Sequence, residues 1–351
     1  MTVSERVQGL VGPRGCRPEE VPAVVELCNA VFSREERRMG PEFPTLFRAE
    51  NAEWLRTFWA GDQPVAHVGV WRARVRVPGR QLPVAHIGAV CTLPEYRGQG
   101  LGTDLVADAM GRLRSAGTAL LLISGGRGLY QRIGARPFGA LLRYRVEPGV
   151  LDGIPLPEYR VETPSGPAVL ARVQARESTR YERSLEDWEL LLPAKGYLPS
   201  AGGRGSLVAL DGDEAEAYLL LGPVRGDAEG GPRLDVDEYG GEREGVLAAL
   251  AVAMRAAGAA AATLQVLPGD VEMRRILEGA GLAAEIGHHQ GTGRILDPAA
   301  FRPLNHWDPA PQLPPGPLGD PAEAEAAAAL TARLLGPGGL ELPRNDGLNY
   351  I

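Results

Sequence analysis

Lysine is almost missing from this chain: Lys195 is the single lysine among 37 basic residues, a bias that carries no mechanism of its own. Cysteine is scarce as well. Cys16, Cys28 and Cys91 are odd in number and lack Cys-x-x-Cys spacing, which argues against a disulfide framework or a zinc cluster and leaves three reduced thiols. No run of about twenty apolar residues occurs, and the first residues lack a basic stretch followed by an apolar one. A spanning helix and a secretory leader are therefore not expected, and the cytoplasm is. Excess positive charge is also absent: the formal net charge is −7, which disfavours nucleic acid as the principal partner. His288-His289 has no further ligand at metal-binding spacing, so no metal is expected.

What the chain does have is one glycine-rich turn in a telling place. Val84 to Thr92 is nearly uncharged, lies between Pro83 and Pro94, and reads as a buried strand. From Thr103 onward Leu105, Val106, Ala109, Met110 and Leu113 recur at helical spacing. Arg97-Gly98-Gln99-Gly100-Leu101-Gly102 is the strand-to-helix turn between them. Such a turn leaves backbone N–H groups without partners, removes Cβ atoms from the approach, and points the positive end of a helix dipole at the gap. It is an anion cradle. The Lys-Ser/Thr pair of a Walker loop is missing, and the glycine spacing is not the dinucleotide one.

Around this turn the chain organises into an α/β architecture with mixed sheets. Pro18 to Phe32 is an expected helix, and Ser33 to Glu53 is irregular or a second helix. Val65–Arg76 and Val84–Thr92 are expected strands, followed by the loop, its helix, a strand at Ala119–Ile123, a turn at Leu129–Ala135 and a strand at Phe138–Val146. The same order recurs beyond Gly149, about 145 residues on when Glu238-Tyr239 is aligned with Glu95-Tyr96. At the decisive positions Arg97 then faces Gly240, Gly100 faces Arg243, and Glu242 and Glu244 would repel a phosphate. The expected units are residues 1–149, a degenerate second copy at 150–292, and a short carboxyl-terminal segment at 293–351 that docks on the first.

Arg97-x-x-Gly100 within Glu95-Tyr96-Arg97-Gly98-Gln99-Gly100 resembles the pyrophosphate loop of the GCN5-related N-acetyltransferases (GNAT). With the second copy and the tail, the chain is similar to the Eis-type (enhanced intracellular survival) members. The likeness is strongest over Gly88–Phe138, moderate over the second copy and weak after about residue 292, where that family has a much larger sterol-carrier-like domain. The two-domain mycothiol-synthase type is a more distant alternative.

The resemblance implies tandem GNAT folds, acetyl-CoA as co-substrate and an amine of a small molecule or peptide as acceptor. Arg97, Gly98, Gln99, Gly100, Leu101 and Gly102 would hold the pyrophosphate, and Val90, Cys91 and Thr92, on a strand that splays open, the pantetheine arm. Tyr130 would protonate the leaving thiolate, since a phenol is roughly matched to an alkyl thiol. The base would be the terminal carboxylate of Ile351, with Glu36, Glu42 or Glu50 acting through water as alternatives. A hexamer follows by the same analogy. Other readings are another acyl-CoA donor, or an acyl-CoA-binding sensor without activity. His67 and His86 read as core residues and Cys91 as an inert thiol. Phe43, Phe47, Trp54 and Trp59 either wall an acceptor pocket or pack the core.

Overall fold

The Pro78-Gly79 turn closes the longest hairpin among the described residues, and the first sheet is assembled on it. The computed structural model describes residues 9–32, 38–126, 128–197, 205–226, 231–301, 313, 320–336 and 339–344. Strands β1 (Leu10–Arg14) and β2 (Leu55–Ala60) lead antiparallel into the hairpin of β3 (Gln63–Val77) and β4 (Arg80–Thr92). β5 (Leu120–Ile123) then pairs parallel to β4. Pro64 to Trp71 is buried throughout, because both faces of the sheet are covered and no polar face is needed.

Helix α1 (Val21–Phe32) lays Val24, Leu27 and Cys28 on one face, in a core with Val75, Val84 and Leu120. Among the described residues a short turn, α2 (Met39–Glu42), and a 3-10 helix at Ala49–Trp54 follow it, with irregular chain between them. Helix α3 (Leu101–Ser115) covers the opposite face, its Leu105, Val106, Ala109 and Met110 meeting Val68, Val70, Ala85 and Ile87. The stripe expected from helical spacing is the buried one.

Past α4 (Gly128–Arg132) the chain departs from the expected order. The strand expected at Phe138–Val146 forms as β6 (Leu141–Val146), but it does not complete the first sheet. It runs instead along the second sheet. Tyr144 and Val146 are buried in the second core, and the Tyr144 hydroxyl donates to Glu278 at 3.0 Å. Helix α5 (Pro148–Asp152), β7 (Arg160–Glu162), α6 (Pro167–Gln174), β8 (Arg180–Tyr181) and α7 (Leu185–Ala194) come next. Then β9 (Gly205–Asp211), β10 (Glu214–Leu221), β11 (Arg225–Gly226) and β12 (Pro232–Gly241) lead through α8 (Arg243–Ala257) to β13 (Ala261–Val266). After α9 (Val271–Gly279) and β14 (Glu285–Gly287), β15 (Thr292–Ile295) returns to pair antiparallel with β5.

The two sheets therefore trade strands. The first runs β1-β2-β3-β4-β5-β15 with β8 beside β3; the second runs β14-β6-β13-β12-β10-β9-β7 with β11 beside β12. In each, one parallel pair, β4–β5 or β12–β13, is bridged by a fifteen-residue helix. The two sheets thus share this parallel pair and its bridging helix. The chain closes with α10 (Pro321–Leu335), whose Leu330, Leu334 and Leu335 share the first core with α1.

Candidate active site

β4 and β5 pair only from Val84–Leu120 to Ile87–Ile123. Beyond that they part, and among the described residues Gly88 to Thr92 has no strand on that side. The cause is local. Ala89 adopts φ +51°, unusual for a residue with a Cβ, within an irregularity in the β3–β4 register. Leu93 N–H donates to the Val65 carbonyl at 2.9 Å on the β3 side. By the alternation of a strand, Cys91 then faces β3, while Val90 and Thr92 turn their backbone groups to the open side. Val90 and Thr92 are half-buried and Cys91 is buried.

The glycine turn follows directly. Gly98 and Gly100 take φ +78° and +83°, and a Cβ built on Gly98, Gly100 or Gly102 meets nothing within 4 Å. The amides from Gly98 to Gly102 have no hydrogen-bond partner among the described residues, and no side chain caps α3. The turn is thus an open concavity edged by free N–H groups at a helix N-terminus, which suits a phosphate. Arg97 borders it, and its Nε donates to the Thr92 carbonyl at 3.1 Å, tying the loop back to the strand. Gln99 is exposed and Leu101 buried, so only the backbone of Leu101 is available.

Tyr130 lies in α4, 7% exposed, in the core cluster that also includes Leu101 and touches Val90 and Tyr96. Its ring lies against the Gly125 backbone, where a Cβ would come within 3.5 Å. The Ser124–Gly126 loop is held by Thr292 of β15, whose hydroxyl donates to the Gly125 carbonyl at 2.9 Å, and by Gln131, whose Nε2 donates to Gly126 at 3.1 Å. Beside it is a cavity of about 480 Å³ lined by Ser124, Gly126, Gln131, Arg136 and Thr292, among others. A strand of the other half of the chain thus braces the Tyr130 turn. Ile351 and Glu36 lie outside the described residues.

The remaining candidates resolve into packing. His67 and His86 are buried, and desolvation pulls both down to about 3, so both are neutral at physiological pH. His67 Nδ1 lies 3.2 Å from the Thr57 hydroxyl and His86 Nε2 3.0 Å from that of Tyr181. Cys28 and Cys91 approach to 3.9 Å between sulfurs, and the Cys28 thiol is pushed up by its bond to Cys91 and by burial. Phe43, Phe47 and Trp59 are core residues, whereas Trp54 is half-buried under the Arg72 guanidinium. Glu50, with Glu26, Arg48 and Glu186, edges an open groove on the outer side of α1.

The second sheet lacks the loop altogether. Eight residues, Leu93 to Gly100, connect β4 to α3, but Glu242 alone connects β12 to α8. Glu238 and Tyr239 lie within β12, so they do not occupy the position of Glu95 and Tyr96, which form a 3-10 turn.

Residues 13–138 match the family model "Acetyltransferase (GNAT) domain". Solved structures with a similar fold include a GCN5-related N-acetyltransferase from Kribbella flavida, at 20% identity over 83% of this chain and 72% of that one, TM-score 0.61. A probable N-acyltransferase from Enterococcus faecalis V583 aligns at 16% identity over 82% and 73%, TM-score 0.61. Eis1 from Mycobacterium abscessus aligns at 15% identity over 82% and 75%, TM-score 0.59. No curated protein matches the chain.

Proposed function

We propose that the chain, whose residues 13–138 match a GNAT acetyltransferase domain, is an acetyl-CoA-dependent N-acetyltransferase that acylates a primary amine of a small molecule or peptide. The observation that carries this reading is the continuity of two features: the edge of β4 that β5 leaves uncovered at Val90 and Thr92 runs straight into the open amides of Gly98 to Gly102. An extended amide arm suits the first and a pyrophosphate the second.

In this reading the backbone at Val90 and Thr92 holds the thioester in the parted strands, where a donor N–H polarises its carbonyl as negative charge develops. A neutral amine attacks that carbon, the carbon–sulfur bond breaks, the nitrogen gives up its surplus proton to a base or to water, and the Tyr130 hydroxyl supplies the proton taken up by the departing thiolate and regains one from solvent. The products are the acetylated amine and free coenzyme A. Cys91 takes no covalent part, being buried against Cys28. Ile351 as the base rests on resemblance alone. The second copy is assigned a structural role.

The test is release of free thiol from acetyl-CoA in the presence of polyamines, aminoglycosides or amino-terminal peptides. Acceptor-dependent turnover is expected with at least one class, and tight acetyl-CoA binding without turnover would count for a sensor. Tyr130→Phe should lower kcat by about 10²-fold with coenzyme A affinity unchanged. An unaltered kcat removes Tyr130 from the proposal.

A further inference from the structure

The second sheet keeps the parted strands although it has lost the loop. β12 and β13 pair from Arg233–Ala261 to Asp235–Thr263 and then separate, as β4 and β5 do, and α8 begins at the mouth as α3 does. The cleft between them is a cavity of about 430 Å³. The chain itself supplies what stands at its two ends.

At the strand-to-helix junction the occupant is Glu177, from the link between α6 and β8. Its carboxylate accepts the Gly241 N–H at 2.7 Å and both terminal nitrogens of Arg243 at 2.8 and 3.0 Å. Gly241 needs its φ of +88° to present that amide, and a Cβ on Gly240 would lie 2.6 Å from the Tyr218 ring and 3.3 Å from Glu177. Arg243 is also held by Asp270, through Nε at 3.0 Å. Along the free edge the occupant is the carboxyl-terminal segment. Arg344 donates to the carbonyl of Val236 at 2.9 Å, and Val236 is the first β12 residue past the last pair with β13. Glu341 accepts the Gly269 N–H at 2.9 Å, just ahead of α9.

We propose that Glu177 is a built-in anion, fixed at the junction of β12 and α8 where the first sheet leaves its amides open, and that Arg344 seals the free edge beside it. The second cleft therefore admits no coenzyme, and its anion position, of the phosphate class, is available only when Glu177 is removed. Three observations agree. The carboxylate is gripped by one backbone amide and a two-pronged guanidinium, the pattern used for phosphate. The strand-to-helix position is the same in both sheets. Glu242, Glu244 and Glu272, with carboxylate oxygens within 4.8 Å of one another, add negative charge at the mouth, which raises the cost of admitting an external anion. This inference does not depend on acyl transfer in the first sheet, because it concerns different residues and a different ligand.

The experiment uses the full chain with the first loop blocked by saturating coenzyme A, and follows the melting temperature during titration with inorganic phosphate at constant ionic strength. Wild type should show no saturable rise. Glu177→Ala should melt several degrees lower and recover saturably with phosphate, and adding Arg243→Ala should abolish the recovery. Glu177→Ser, which also vacates the carboxylate position, provides the comparison should the alanine variant not fold: it too should melt lower and gain from phosphate more than wild type does. With the first loop blocked, a saturable rise in wild type would mean that Glu177 does not fill the position, and it too overturns the claim. No difference, or a recovery that survives loss of Arg243, overturns it.

Discussion

Gly102 is the position where folding and binding can be separated by one methyl group. It lies within α3, where alanine is favoured over glycine by about 1 kcal/mol, and space around it is open. Gly102→Ala should therefore leave the melting temperature unchanged or higher. The same methyl would stand in the approach to the free amides, and coenzyme A affinity should fall by about tenfold, or ~1.4 kcal/mol. Calorimetric titration alongside a thermal melt checks both halves. Equal losses in stability and affinity would mean that the glycine serves the backbone only. Gly98 and Gly100 do not allow this separation, because their positive φ would strain any other residue.

At the scale of elements, α10 is held by a buried charge cluster. Glu323, 1% exposed, accepts from Arg294 of β15 and Arg114 of α3. Next to it the Ala324 carbonyl sits so close to Gly134 that a Cβ there could not fit, and Gly134 ends the turn that carries Tyr130. Glu323→Ala strands a fully buried guanidinium and should cost about 3–5 kcal/mol in urea unfolding. A loss under 1 kcal/mol would show that water reaches Arg294. None of these contacts was legible in the sequence, where Thr292 to Ile295 and Glu323 carry no pattern. The strand before the glycine turn, the turn and α3 were legible, because strand apolarity, glycine spacing and helical periodicity are all local. Partnering is not local: Leu141–Val146 fits either sheet by composition, and Glu177 lies 66 residues before the arginine it grips. β2 was missed for a related reason. Its Trp54-Leu55 lead-in carries helix-compatible residues, and only pairing with β3 makes Leu55–Ala60 a strand.

Across the whole molecule, neither sheet is complete without the other half of the chain. β15 covers the edge of β5, and β6 lies between β13 and β14. Calorimetry should therefore record one cooperative transition, and residues 1–149 alone, lacking β15, should aggregate through the bare edge of β5. Two well-separated transitions would mean independent units. Acid sensitivity is also a property of the whole. His67 and His86 are held neutral down to about pH 3, whereas in the unfolded chain they take up protons near 6.5. The unfolded state then binds more protons as pH falls from 6.5, and stability drops by about 1.4 kcal/mol per pH unit for each histidine. Urea unfolding between pH 7 and 5 should reveal this slope, and His67→Asn should remove about half of it.

The exchange of strands also sets a timetable for synthesis. When β5 leaves the ribosome its outer edge has no partner, and none exists until Thr292 to Ile295 have been translated. At about 5–20 residues per second that wait is on the order of ten to thirty seconds. During it the coenzyme loop is already made, but the sheet behind it is not closed. The nascent chain therefore carries a sticky apolar border through half of its own translation, and its yield in a cell should depend on how well that border is chaperoned.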